Sequence, residues 1–292
     1  MRQSLIFSRA ANNGILSTEA IAQRAPAVFA DTKAERLTSR YQSLRTADLM
    51  PILADYGYFP TQAAQKRSRK AMGLTEHSAH MLAFSNAHDV DTTSDIRPEI
   101  VLYNSHDGTS SVKLFAGAYR FICSNGIVAG EGFNATAYHS RKALSGFEEM
   151  LRGIVGNITP MMDKIEAMRQ RTLSADERYS LAKDAVMKRW SMFDTAATEA
   201  MVRGDNIKRG VYADHRTITD VLGLQRSEDA GVDVWTTFNR IQENVLRGNA
   251  FVRSVTGSAD EVPLVRQRKA RPITNISEHV RINSELWNLA VA

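Results

Sequence analysis

The residues of this chain whose type and spacing could do chemistry are first of all cations. Lys66, Arg67, Arg69 and Lys70 fall within five residues, downstream of the aromatics Tyr56, Tyr58 and Phe59. Cations neutralise phosphates and release condensed counterions, and flat rings stack on unpaired bases. Basic groups beside exposed aromatics are therefore the equipment of a single-strand nucleic-acid binder, with Tyr58 and Phe59 as stacking rings. The same string also suits a solvated helix face with its aromatics in the core. Arg266, Arg268, Lys269 and Arg271 form a second cluster, four cations in six residues with no acid among them. Such a run repels itself unless water or a polyanion screens it, and it reads as a flexible basic arm on a phosphate backbone. The net charge of +5 is moderate, so its distribution matters more than its sum.

Other chemistry is thinly supported. His106-Asp107 has the make-up of a catalytic dyad, yet Asp107-Gly108 is a tight-turn signal. A hairpin tip accounts for Asp107 without catalysis. His77, His80 and His88 with Asp89 or Asp91 match no zinc spacing, and no cysteine assists them. Ser110-Ser111-Val112-Lys113 contains S-x-x-K, which is short enough to arise by chance. Cys123 is the only cysteine, so no intramolecular disulfide can form. Its apolar surroundings, Tyr119 to Ile122, suit a small buried hydrophobe. The phosphate-cradling G-x-x-x-x-G-K-[ST], a G-x-G-x-x-G after a strand, H-E-x-x-H and G-x-S-x-G are absent. The expectation is a binding protein with no catalytic residues, cofactor or metal. A nuclease or other hydrolase using His106-Asp107 is the enzymatic alternative.

These residues need a scaffold. The chain has 292 residues, 43% hydrophobic and 24% charged, enough for a sizeable core. It holds no run of 18 apolar residues that could span a membrane. The apolar patch Leu5 to Phe7 is too short for a signal sequence, so the protein is expected to stay in the cytoplasm where it is made. Strands are predicted near 38–44, 80–84, 99–104, 110–115 and 118–129, with turns at Asp107-Gly108 and Asn125-Gly126, as an antiparallel meander. A helix is predicted from Thr46 as N-cap, with Leu49, Ile52 and Leu53 on its apolar face and Gly57 as its stop. From about 140 the period becomes helical. Ala143, Phe147, Met150, Leu151 and Ile154 share one face, and Ser174 with Glu177 spells a capping box for a helix ending near Trp190. Residues 200–228 look less regular, 233–247 and 278–291 helical, and 257–263 like a linker. No core signal is seen before about residue 35. The fold is thus predicted as α+β: an N-terminal extension at 1–34, then one domain at 35–292 with a β-meander core, helices packed on it and a helical C-terminal part.

The strings themselves carry a resemblance. Ile100 through Ser111, followed by Tyr119 through Val128, is similar to a family of phage/plasmid-like proteins, the domain-of-unknown-function family 932. Arg40-Tyr41 with Gly57-Tyr58-Phe59-Pro60, Trp235-Thr236-Thr237-Phe238-Asn239-Arg240-Ile241-Gln242-Glu243-Asn244, and Ile282 through Ala290 fit the same family, so the likeness runs from about residue 35 to the end. Where many members have Gly-Gly after the Gln-Glu-Asn helix, this chain has Gly248-Asn249. The resemblance implies a protein of phages, prophages or conjugative plasmids at work in a bacterial host cytoplasm. Such elements encode DNA-annealing, DNA-protecting and anti-defence proteins. By analogy of fold, the core is compared with Rad52-type single-strand annealing proteins, which are oligomeric and bind DNA in basic grooves. Expected partners are single-stranded DNA, further copies of the chain and, in the alternative, a host defence protein.

Overall fold

The computed structural model describes residues 14–35, 37, 44–68, 73–90, 96–120, 126–128, 134–137, 143–193, 210–256 and 264–292. The chain divides into two compact units, Met1–Met162 and Asp163–Ala292.

In the first unit, the core begins earlier than the sequence suggests. Ser17 caps helix α1 (Thr18–Arg24) by accepting from the Ala20 N–H at 3.2 Å. Ile21, Ala27 and Val28 are fully buried, and the Leu16 N–H donates to the Pro60 carbonyl at 2.7 Å. Residues 14–34 therefore contribute to the core. Helix α2 (Thr46–Asp55) starts one residue differently from expectation: Arg45 is the cap and Thr46 the first helical residue. The Thr46 hydroxyl is withdrawn inward, where it accepts from Asn104 Nδ2 at 2.9 Å and lies 2.7 Å from His80 Nε2. Gly57, at φ +80°, turns the chain out of the helix.

Strand β1 (Tyr58–Gln65) follows, then the short strands β2 (Arg67–Ser68) and β3 (Gly73–Leu74) and strand β4 (His80–Asn86). Helix α3 (Ala87–Val90) precedes β5 (Ile96–Asn104), β6 (Val112–Arg120), β7 (Gly126–Val128) and β8 (Asn134–Ala137). The main sheet runs β1-β4-β5-β6-β7, with β8 also on β6, and every pairing in it is antiparallel. The predicted antiparallel meander is present, but Val112–Arg120 is the one strand β6 where the sequence suggested two, near 110–115 and 118–129, and β1 was not predicted. Leu82, Leu102 and Leu114 stand in one cross-strand row, and Phe84, Ile100 and Ala116 in the next. All six are at most 1% exposed, and burying each large member stabilises the unit by roughly 1.5–3 kcal/mol. At the β5–β6 turn Gly108 has φ +75°, and Asp107 Oδ1 accepts from the Thr109 N–H at 2.9 Å, as the turn signal predicts. Of the strand predicted at 38–44, only Leu44 is described, and it lies in no strand; Cys123 and Asn125 lie outside the described residues. Helix α4 (Ala143–Gly156) follows, with Phe147, Leu151 and Ile154 buried, and helix α5 (Ile158–Gln170) begins in this unit and continues into the second.

In the second unit, the capping box of Ser174 and Glu177 opens helix α6 (Ala175–Arg189), as read from the sequence. Strands β9 (Ser191–Met192) and β10 (Gly210–Ala213), helices α7 (His215–Val221) and α8 (Val234–Arg247), strands β11 (Phe251–Thr256) and β12 (Leu264–Lys269), and helix α9 (Ile276–Val291) complete it. The sheet order is β12-β11-β10-β9, antiparallel except for β9 beside β10. Residues 257–263, read from the sequence as a linker, lie outside the described residues. Ile282, Leu286 and Trp287 are at most 2% exposed, so α9 docks on α6 and α8. The chain as a whole is an α+β fold with an antiparallel core and a helical C-terminal part.

Candidate nucleic-acid interface

The first basic cluster lies on β-structure. The main β1–β4 ladder ends at the pair Gln65 and His80, and β2 with β3 then makes a separate antiparallel ribbon. Lys66 is exposed, and its N–H donates to the Ala79 carbonyl at 2.8 Å. Arg67 lies in β2. Arg69 and Lys70 lie outside the described residues. Gln65 fixes the base of the ribbon, accepting from the Ala27 N–H at 2.8 Å and donating to the Thr75 carbonyl at 2.6 Å.

The aromatics do not accompany these cations. At about 3.3 Å per residue, Tyr58 lies roughly 25 Å along the strand from Lys66. Tyr58 is only 5% exposed. Burial, aided by the nearby Asp89 carboxylate, pushes its hydroxyl up to about 12. Its ring belongs to the core and has no free face for a base. Phe59, one residue on and therefore on the other side of the strand, is half-buried.

The second cluster is also a strand, where the sequence suggested a flexible arm. Arg266, Arg268 and Lys269 belong to β12, the edge strand of its sheet. Arg266, Lys269 and, just beyond the strand, Arg271 are exposed, while Arg268 is half-buried opposite Val252. The Arg271 carbonyl accepts from the Arg189 guanidinium, which also donates to the Val245 carbonyl.

Strand pairing brings further residues beside this run that sequence reading missed. Tyr212, Arg253 and Gln267 form one row across β10, β11 and β12, so they share a face. Phe251 and Lys269 form another row of that face, two residues along. Phe193, just after β9, meets Tyr212 edge to face with ring centroids 5.9 Å apart. The Arg253 guanidinium lies 6.0 Å from the Phe193 ring, and that of Arg216, from α7, lies 4.4 Å over Phe251 and donates to Gln267 Oε1 at 3.3 Å. Arg253 Nε donates to Asp214 Oδ2 at 2.7 Å. Burial works against ionisation of Asp214, but the Arg253 and Thr217 hydrogen bonds outweigh it and hold the carboxyl below its ordinary range. Asp220 Oδ2 accepts from the Phe251 N–H at 2.8 Å. No sequence window could group residues scattered from 193 to 269; only the register does.

The histidines lie elsewhere. His80 and His106 are fully buried, with ring centroids 5.1 Å apart. His80 Nδ1 lies 3.0 Å from the Ser78 carbonyl, so Nδ1 carries the proton and Nε2 accepts from Thr46. Burial pushes its pKa down to about 4, so it is neutral at pH 7. His77 Nε2 lies 3.0 Å from Thr32 Oγ1, and His88 is exposed on α3. Asp91 lies outside the described residues. Ser110 Oγ donates to the Ser111 carbonyl at 3.0 Å. Among the described residues no group of three or more His, Cys, Asp or Glu side chains is placed to hold a metal, and no helix is long and apolar enough to cross a membrane.

The family-like strings in the second unit prove to be packing and registration residues. Trp235 and Phe238 of α8 stack at 6.0 Å, and Phe238 meets Trp287 of α9 edge to face at 6.1 Å. Asn244 Nδ2 donates to the Val221 and Gly223 carbonyls at 3.0 and 2.8 Å, which closes the end of α7. Gln242 Nε2 donates to Asn283 Oδ1 at 2.7 Å, and Glu243 pairs with Arg226 at 2.6 Å. Gly248 has φ +71°, and a Cβ there would sit 2.6 Å from the Ala270 carbonyl oxygen. With Asn249 after it, the turn still closes, through the Asn249 N–H to the Asn244 carbonyl at 3.0 Å.

Fold and site together define an α+β protein with a basic edge strand beside an aromatic sheet face. The chain belongs to the family described as a domain of unknown function, DUF932, which matches residues 34–287. It is 31% identical over 280 residues to UPF0380 protein YafZ of Escherichia coli K12, covering 95% of this chain and 91% of that protein. It is 30% identical over 278 residues to UPF0380 protein YfjQ of the same organism, covering 94% and 90%. No solved structure matches.

Proposed function

We propose that this protein binds single-stranded DNA without chemically altering it, in the setting of a phage or plasmid, and that it works as an oligomer in the manner of Rad52-type annealing proteins. The observation that carries this reading is β12. Three exposed cations, Arg266, Lys269 and Arg271, stand within six residues on an ordered edge strand and its exit. None of them makes an ion pair among the described residues. Fixed cations lose less side-chain freedom on meeting phosphate than a floppy arm would. The ribbon of β2 and β3, with Lys66 and Arg67, adds a second basic element, and Arg69 and Lys70 belong to the same proposal. Phe59 remains a candidate ring; the burial of Tyr58 argues against a stacking role for it. The antiparallel meander with flanking helices supports the comparison with annealing proteins at the level of fold alone.

A second reading is an interaction protein that blocks a host defence complex. An edge strand favours it, because such an edge can add a strand from a partner. Electrophoretic mobility shift with single- and double-stranded DNA at two salt concentrations separates the two. A salt-sensitive shift of single strands is expected. No shift of any nucleic acid at low salt would transfer the cations to an acidic protein partner.

A further inference from the structure

We infer that the sheet face bearing Tyr212, Phe193 and Phe251 is a base-stacking platform for single-stranded DNA, fed by Lys269 of the edge strand β12. This deepens the reading above and rests on it. The rings are only partly covered by their neighbours. Phe251 is 37% exposed, and Tyr212 and Phe193 are half-exposed, on a face where the neighbouring positions are Arg253, Gln267 and Lys269. Two of the three rings have a cation beside them: Arg216 lies 4.4 Å over Phe251 and Arg253 lies 6.0 Å from Phe193. A planar guanidinium on an aromatic face gives a base two flat partners, the ring and the cation. The Arg253 plane is fixed by its bond to Asp214 at 2.7 Å, so it needs little reorganisation to receive a ligand.

The spacing selects single strands. Tyr212 faces Arg253, two residues from Phe251 on the next strand. Two steps of about 3.4 Å and one interstrand step of about 4.8 Å put the two ring-bearing Cα atoms roughly 8 Å apart. Stacked bases in a duplex rise by only about 3.4 Å. Two bases resting on these two rings must therefore be splayed from each other, which an unpaired strand permits and a duplex does not. Charge points the same way. The two acids near the face are already engaged, Asp214 by Arg253 and the Thr217 N–H, Asp220 by the Phe251 N–H. Lys269 has no ion pair among the described residues and sits opposite Phe251, where a phosphate between two stacked bases would pass. Arg271 extends the cationic path past the end of the strand, while Arg266 stands with Arg268 on the other face of β12.

The test uses the full chain and fluorescence anisotropy with four labelled probes of one length: oligothymidylate, an abasic deoxyribose-phosphate chain, oligouridylate, and a DNA duplex. Wild-type protein is expected to bind oligothymidylate more tightly than the abasic chain. Phe251→Ala and Tyr212→Ala should each weaken oligothymidylate binding by roughly 5- to 150-fold, with abasic binding and the salt slope unchanged, and Phe251→Trp should keep the wild-type affinity. Equal wild-type affinity for oligothymidylate and the abasic chain overturns the platform while leaving the DNA-binding reading intact. No binding of any probe overturns both. Tighter binding of oligouridylate, or equal binding of a duplex, overturns the assignment to single-stranded DNA. The abasic comparison needs no variant, so a ring substitution that lowers the melting temperature does not spoil the decision.

Discussion

Replacing Arg266, Lys269 and Arg271 with Gln removes the exposed charge of the edge strand and leaves Arg268, half-buried opposite Val252, to pack as it does now. Exposed substitutions of this kind change stability by about 0.5 kcal/mol or less, so the variant should fold. Each phosphate contact contributes about 0.7 to the log–log salt slope on single strands, so three contacts contribute about 2.1. Over a fourfold rise in salt, from about 50 to 200 mM, wild-type protein should then lose roughly 18-fold more affinity than the triple variant. The assay is anisotropy titration of one single-stranded oligonucleotide at both salts, with circular dichroism as the control for folding. Equal salt slopes for wild type and variant would refute the argument, because they would mean that these cations touch no phosphate. A variant with weaker binding but an unchanged slope points to the same failure, since the lost energy would not be electrostatic.

Gly248→Ala should lower the melting temperature of the C-terminal unit. The position needs φ +71° and a Cβ would meet the Ala270 carbonyl at 2.6 Å, which costs more than about 1 kcal/mol; an unchanged melt in differential scanning calorimetry contradicts it. Trp287→Ala, or truncation at Glu278, removes the docking of α9, where Trp287 is 1% exposed. A loss of about 3–5 kcal/mol is expected for the Trp substitution, and urea denaturation with no change in midpoint would count against it. His80 gives a pH signature. Its folded pKa of about 4 lies below the ordinary histidine value of about 6.5, so as pH falls from about 6.5 to 4 the unfolded chain binds a proton that the folded chain refuses, and stability drops. Above about 6.5 both states are neutral and the effect vanishes. His80→Gln should reduce the slope of the stability profile in that window, with the remainder left to His279, which burial likewise pushes down to about 4, and a profile with the same slope in wild type and variant sinks the assignment.

The β4, β5 and β6 strands were legible because their apolar runs end in strong turn signals, and Gly108 takes the positive φ that Asp-Gly foretells. β1 was not. Pro60 demotes it, and Gln62, Ala63, Ala64 and Gln65 have little strand preference. It forms because it is an edge strand, where Pro60 sits at a register shift and its missing N–H is tolerated. β12 reads as an arm because repulsion among Arg266, Arg268 and Lys269 is visible in sequence, whereas the ladder to β11 is not. The cations were therefore found and their backbone misjudged. Tyr58 was misassigned for a related reason: nearness in sequence to Lys66 was read as nearness in space, and an extended strand separates the two. The rings that do stand beside cations, Phe193, Tyr212 and Phe251, come from three strand neighbourhoods that only register unites.

Helix α8 works as an indexing key. An apolar helix face tolerates sliding, but α8 carries Gln242 to Asn283, Glu243 to Arg226, and Asn244 to the end of α7. Advancing the helix by one residue rotates it by about 100° and shifts it by about 1.5 Å, and all three partners are lost together. At roughly 1–3 kcal/mol for each stranded buried group, the slip consumes much of a typical folding stability of about 5–15 kcal/mol. Only one seat is open to it. Because β11 begins three residues after Gly248, that seat also sets the phase of the strand. Phe251 and Arg253 are thereby turned to the face of Tyr212, while Val252 is turned to the interior. A one-residue error would exchange the two sides, so the polar residues buried in the helix decide which way the sheet looks.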